Sequence, residues 1–302
     1  MVSGARVLVA TDLSVGADEA IRQGDAWARA AKGELIVCHV VPNALRNNPL
    51  FPQRAHAETA SLLDAEQAAG QRVQDRVIAL TGRSPDAYRL IVDNGAPDAT
   101  IVAIAERVEA TLVVVGSSGH AGIARLLLGS VASRVVAYAH SPVLVARPHA
   151  RTGRILAATD MSEPALPALV AAADEAKARG AKVTLIHSVD LLPSSAMAIG
   201  APFGGTWLVV PPEQIAAVRA SVQATLDDMM KRLAIDGEVR VEQGNPVAEV
   251  VNAAEQLDAE LVVVGTRGRT GLTRLALGSV ADGIVRAAPC SVLVVRLGTD
   301  KA

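Results

Sequence analysis

The sequence predicts two tandem α/β domains, each a doubly wound, five-stranded parallel sheet with helices on both faces. Three observations carry this. The chain is written twice, each copy alternates short apolar runs with helical stretches, and the apolar runs are continuous enough to be buried on both faces. The repeat is direct: Val7 to Ser14 (VLVATDLS) returns as Ile155 to Ser162 (ILAATDMS), and LVVVG at Leu112 to Gly116 returns at Leu261 to Gly265. Leu128 to Ala132 (LGSVA) returns at Leu277 to Ala281, and Val143 to Val145 at Val292 to Val294. A period of about 149 is far longer than a solenoid unit of roughly 20 to 50 residues, so each copy is a domain, 1–149 and 150–302. The join falls at Pro148 to Gly153, where Pro, Arg, Thr and Gly separate two apolar runs.

In the first copy the strands are Val7 to Ala10, Leu35 to Val40, Tyr88 to Val92, Leu112 to Val115 and Val143 to Ala146. Between them, Ala17 to Ala31 puts Ala20, Ile21, Gly24, Ala28 and Ala31 on one side, short residues that allow close packing on a sheet. Ala57 to Leu80 is a longer amphipathic helix; Asp98 to Arg107 and Val131 to Ala139 complete the set. Pro97, and Pro246 in the second copy, suit a helix's first turn, where the missing N–H costs nothing. The second copy repeats the strands at Ile155 to Ala158, Lys182 to His187, Glu238 to Val241, Leu261 to Val264 and Val292 to Arg296. Such βαβ alternation calls for right-handed crossovers. The last strand of each copy would be a sheet edge that must be paired or covered.

Composition excludes several classes. With 29 Lys+Arg against 31 Asp+Glu the net charge is −2, so no basic excess is present to hold nucleic acid or an anionic membrane. Two Trp, two Tyr and two Phe are too few for a base-stacking platform. Cys38 and Cys290 stand far apart, which argues against a disulfide framework or a cysteine zinc site and for a reducing compartment. Met1 to Ala10 lacks a basic segment followed by a long apolar one, and no apolar run approaches the roughly 20 residues of a membrane span. A cytoplasmic protein is expected.

In an open doubly wound sheet, ligands bind beyond the carboxyl ends of the strands, where the strand order reverses. Two segments of each copy are candidates to meet there. One is the loop after the first strand, Ala10-Thr11-Asp12-Leu13-Ser14. The other follows the fourth strand as G-x2-G-x9-G-S, with Gly116, Gly119, Gly129 and Ser130, and again with Gly265, Gly268, Gly278 and Ser279. Glycines let backbone approach a ligand, and Gly129 leads into a helix whose expected N-cap is Ser130. A helix N-terminus offers N–H donors and a partial positive charge, which suits phosphate. The Ser130 hydroxyl and the Val131 N–H would donate to it. Asp12 and Asp160 would meet phosphate through a cation, Mg²⁺ or Mn²⁺. Neither a P-loop nor a G-x-G-x-x-G after the first strand is present.

The strand–ATDxS opening, the doubled glycine motif and the two-copy layout resemble the universal stress protein A family in its tandem form, over nearly the whole chain. The resemblance implies a Rossmann-like, adenine nucleotide alpha hydrolase-like fold with strand order 3-2-1-4-5, and ATP bound in each copy. In the first copy the nucleotide would meet Ala10, Thr11, Asp12, the Val40 backbone, Gly116, Ser118, Gly119, Gly129, Ser130 and Val131. In the second it would meet Ala158, Thr159, Asp160, Ser188, Gly265, Arg267, Gly268, Gly278, Ser279 and Val280. Ser188 stands where the first copy has Val40, a small change if the contact is through backbone. Both copies keep the glycine pattern of the ATP-binding branch, so two sites are expected. The second loop carries Arg267, Arg269 and Arg274 against Arg125 and His120 in the first, so the second would hold phosphate more tightly. The resemblance also implies that the last-strand edges meet antiparallel between the copies, making an internal pseudo-dimer, and that the chain dimerises further.

Blander readings stand beside these. Asp12 and Asp160 could cap the next helix in competition with Ser14 and Ser162. His39 and His187, at matching places late in a second strand, read as packed strand residues, and the arginines as a solvated loop. Asp190 to Pro212 is either a lid or partner-binding segment or an ordinary long crossover; its counterpart, Pro42 to His56, is shorter and more polar. No repeated base lies beside a nucleophile, so no catalytic residue is assigned and binding is expected over turnover. The reading is an ATP-binding, nucleotide-dependent stress-response regulator with an unknown protein partner. A weak ATPase and a nucleotide-free scaffold are the alternatives.

Overall fold

The computed structural model describes residues 4–42, 55–117, 128–189, 211–266 and 277–296, with backbone alone over 55–61. Two compact units are present: one holds the first copy together with residues 290–296, the other the rest of the second copy. The first unit runs β1 (Arg6–Ala10), α1 (Val15–Ala30), β2 (Glu34–Pro42), α2 (Ala55–Thr81), a 3-10 turn at Pro85–Ala87, β3 (Arg89–Gly95), α3 (Pro97–Arg107), β4 (Leu112–Gly116), α4 (Ser130–Tyr138) and β5 (Val143–Ala146). Its strand order is β3-β2-β1-β4-β5, and these five are parallel, with Leu8 registered against Ile36 on one side and Val113 on the other. The α/β class and the 3-2-1-4-5 order therefore hold. β10 (Ser291–Val295) joins this unit antiparallel to β5, Leu293 opposite Leu144, the antiparallel meeting of edges that the resemblance implies. It covers the edge that β5 would otherwise leave open.

Continuous apolar runs become central strands because helices cover both faces. Val7, Leu8, Val9, Val113, Val114 and Leu144 are fully buried, and each large aliphatic side chain so removed from water contributes roughly 1.5–3 kcal/mol before entropy is charged against it. On α1 the expected stripe of small residues is the contact face, and a Cβ on Gly24 would fall 2.2 Å from Val9 Cγ2. That helix starts two residues earlier than its periodicity predicts, at Val15, because Ser14 takes the N-cap and accepts a bond from the Ala17 N–H. The third strand lies later than predicted, at Arg89 to Gly95, after a 3-10 turn that absorbs the residues before it.

The same α1 also buries two carboxylates, Asp18 at 4% and Asp25 at 7% exposure. Burial without partners would be costly. Both are paired: Arg76 of α2 forks onto both oxygens of Asp18, and Arg83, two residues past the end of α2, bonds Asp25, which also accepts from Arg29.

The second unit runs β6 (Arg154–Ala158), a 3-10 turn at Glu163–Ala165, α5 (Leu166–Arg179), β7 (Lys182–Val189), α6 (Pro212–Arg232), β8 (Gly237–Gln243), α7 (Pro246–Gln256), β9 (Leu261–Gly265) and α8 (Ser279–Ala287). Its order β8-β7-β6-β9 repeats that of β3-β2-β1-β4. No helix among the described residues is long and apolar enough to cross a membrane.

Candidate functional site

The strand order reverses between β1 and β4, and the cavity of the first unit opens there, at their carboxyl ends. Its volume is about 580 Å³. Ala10, Thr11, Asp12, Val40, Gly116, Gly129, Ser130 and Val131 all line it, so every described nucleotide-contact residue expected of the first copy converges on one space. Ser118 and Gly119 lie outside the described residues, as do Arg267 and Gly268 of the second copy. The proposed extra cations Arg125, Arg269 and Arg274, with His120, and the segment 190–210 lie outside them too.

The loop after β1 is built by local polar bonds. Thr11 continues β1's pairing by donating its N–H to Cys38 O at 2.9 Å, and its hydroxyl oxygen accepts from the Leu13 N–H at 3.1 Å. Asp12 Oδ1 accepts from the Ser14 N–H at 3.0 Å and from the Ser14 hydroxyl, and Ser14 in turn caps α1. Asp12 thus takes part in capping at one remove while its carboxylate lines the cavity. Between them Leu13 is forced to φ 65°, the left-handed region that a side chain with a Cβ seldom adopts. The second copy repeats the loop's polar bonds: Met161 at φ 63°, Thr159 accepting from Met161 N–H at 3.0 Å, and Asp160 Oδ1 accepting from Ser162 N–H and hydroxyl. Here Ser162 opens a 3-10 turn and makes no side-chain cap bond.

His39 was expected to be a packed strand residue. It is half-buried, lines the cavity, and its Nδ1 lies 2.8 Å from Thr11 O. A carbonyl oxygen accepts, so the imidazole donates from Nδ1, which fixes its tautomer when neutral. His187 holds Thr159 O in the same way at 2.8 Å. Each histidine fastens the loop after the first strand to the second strand. Cys38, next to it, is no nucleophile: burial first, then the charge of Asp93, pushes its thiol up to about 12.

At the other wall, the helix starts differently from expectation. Gly129, at φ −63° and ψ 150°, is the N-cap of α4, and its carbonyl accepts from the Ser133 N–H at 2.9 Å. Ser130 is therefore the first helical residue, and Gly278 and Ser279 stand in the same relation in α8. The glycine extends the chain into the helix, a role the sequence assigned to the serine. The correction favours anion binding, because the N–H groups of Ser130, Val131 and Ala132 are first-turn donors with no acceptor inside the helix, and all three residues line the cavity. Gly116 is required for a reason besides ligand approach: a Cβ there would lie 2.6 Å from Gly16 O, against the start of α1.

In the second unit Ala158 ends β6, Gly265 ends β9, and Val280 in the first turn of α8 is 40% exposed. Ser188 on β7 donates its hydroxyl to Gly244 O at 2.7 Å, so its side chain is satisfied within the protein and leaves backbone for a ligand. Among the described residues no group of three or more His, Cys, Asp and Glu is placed to hold a metal by itself.

Leu13, His39 and Arg72 do more in the cavity than the sequence assigned to them. Leu13 has no local signal, since leucine is not a residue type that announces a left-handed turn. His39 was visible only as a repeat shared with His187. Arg72 of α2, the arginine among the described residues lining the cavity, belongs to no repeated motif.

Residues 5–147 and 152–296 each match the model of the Universal stress protein family. A universal stress protein of Mycolicibacterium smegmatis is 28% identical over 299 residues, covering 96% of both chains. One from Mycobacterium bovis is 30% identical over 312 residues, again covering 96% of each. The crystal structure of a universal stress protein from Archaeoglobus fulgidus superposes with a TM-score of 0.64 at 20% identity, over 96% of this chain and 98% of that one, which supports the fold.

Proposed function

The chain belongs to the universal stress protein family, and from that premise we propose that it binds an adenine nucleotide, ATP foremost, with one site in each copy, 1–149 and 150–302. The observation that carries this reading is the cavity of about 580 Å³ at the β1/β4 switch point, with the first turn of α4 on one wall and the Asp12 loop beside it. The α4 N-terminus suits the phosphates. The Val40 backbone, with Pro42 and Ile101, offers a partly apolar place for the base. A divalent cation would be held chiefly by the phosphates with Asp12, and Asp160 in the second copy, as protein ligands; it would screen the carboxylate from the anion. A carboxylate facing phosphate would otherwise repel it, and such a cation would offset that repulsion.

The protein acts in this reading as a nucleotide-dependent regulator that changes partner contacts rather than as an enzyme; the Asp12 carboxylate is engaged in building its loop with the Ser14 N–H and hydroxyl, and His39 donates from Nδ1 to Thr11 O. The test is the small molecule released on denaturing freshly purified protein, followed by titration of the stripped chain with ATP and Mg²⁺. Adenine nucleotide in the released pool, and weaker binding in Asp12→Ala, are expected. No bound nucleotide and no uptake would overturn the reading; turnover lost in Asp12→Ala would favour a weak ATPase instead.

A further inference from the structure

Arg72 lines the first unit's cavity from α2, a helix outside the glycine motif. Its orientation is built in. Ala69, Val73 and Val77 are buried, which fixes the helix's rotation, and Arg76, one turn further on the same side, forks onto the buried Asp18 of α1. The clamp leaves Arg72 at the cavity, exposed, and the bond the structure gives it is a long one from Nε to its own helix at Ala68 O, 3.3 Å. A guanidinium carries five N–H donors in a rigid fork that matches phosphate. Among the described lining residues Arg72 brings the guanidinium and Asp12 the carboxylate, so Arg72 is the protein's own counter-charge there, opposite in sign to Asp12.

The second copy is not built this way. Aligning the buried pair Leu226 and Met230 of α6 with Val73 and Val77 puts Thr225 where Arg72 stands. The offset that matches Asp12 to Asp160 puts Leu166 in place of Asp18. Both the arginine and its clamp are missing from those positions.

We propose that Arg72 pairs with the phosphate chain of the nucleotide bound in the first copy, and so adds to that site a preference for charged nucleotides over the nucleoside that the matching positions of the repeat do not supply. This rests on the nucleotide reading above and adds a recognition residue to it. The experiment titrates the full chain with ATP and, separately, with adenosine, both with Mg²⁺, comparing wild type, Arg72→Ala and Arg72→Lys. In Arg72→Ala one of two ATP affinities is expected to fall about tenfold, with adenosine binding unchanged within about twofold and the thermal midpoint retained because Arg72 is exposed. Arg72→Lys, which keeps charge without the fork, is expected to fall between. Equal loss for ATP and adenosine, loss at both sites, or no loss would overturn the proposal while leaving the nucleotide reading intact. A wild-type chain that takes up neither ligand would overturn both.

Discussion

Leu13 and Met161 sit at φ 65° and 63° in corresponding loops, a conformation that costs on the order of 1–3 kcal/mol and persists when surrounding bonds over-determine it. Here those bonds are Thr11 Oγ1, Asp12 Oδ1 and the His39 ring. Replacing Leu13 by Val, which is stiffer at φ > 0, is expected to destabilise the protein by about 1–2 kcal/mol, whereas Leu13→Gly relieves the strain and costs less; urea unfolding of the pair checks the order. At Gly116 the argument reverses. A Cβ meets backbone at Gly16 O, which cannot rotate away, so Gly116→Ala is expected to cost about 1–3 kcal/mol, read by the same unfolding experiment. The glycine was legible in the sequence as part of a motif; its packing role was not, because α1's approach to β4 is a contact between residues 100 positions apart.

The α1–α2 pair shows how an element is held by groups its periodicity conceals. Asp18 and Asp25, seven residues apart, are buried and meet Arg76 of α2 and Arg83 just beyond its end. Removing Arg76 strands a buried carboxylate. Arg76→Ala is expected to destabilise by about 2–3 kcal/mol, less than a fully buried pair would show because its guanidinium is partly exposed. The double substitution with Asp18→Ala is expected to cost less than the sum of the single ones, and a double-mutant cycle by chemical denaturation reads the coupling. For α4 and α8 the sequence located the helix start to within one residue, and the error mattered chemically: shifting the cap from Ser130 to Gly129 turns the serine from a cap into a first-turn donor.

For the molecule as a whole, the edge strands and a buried carboxylate carry the expectations. β10, at the end of the second copy, is paired with β5 in the first unit, and Arg147 bonds Ser291 Oγ and Cys290 O beside it. A fragment of residues 1–149 would expose the β5 edge, and is expected to self-associate where the full chain does not form the same contact; light scattering on both decides it. Glu260 is pulled two ways. Burial alone would raise its carboxyl, but bonds from Gly153 N–H, Arg179 and Thr152 N–H outweigh this and hold it below the ordinary value of 4.5. Its stabilisation is therefore complete above that value and is lost as pH falls through the lowered one. Glu260→Gln is expected to lose about 1–3 kcal/mol at pH 7, with a shallower fall in stability below about pH 4.5, measured by urea unfolding across pH.

The repeat, the strand runs, the small-residue face of α1 and the meeting of the ATDxS and glycine segments were determined by sequence alone, because each rests on local periodicity or on turn chemistry within a few residues. What the tertiary structure decided depends on partners far away in the chain: Leu293 set opposite Leu144, the histidines spent on Thr11 O and Thr159 O, the carboxylates of α1 clamped by Arg76 and Arg83, and Arg72 brought to the cavity. Those contacts are chosen by which faces the crossovers bring together, and no spacing within one element encodes them.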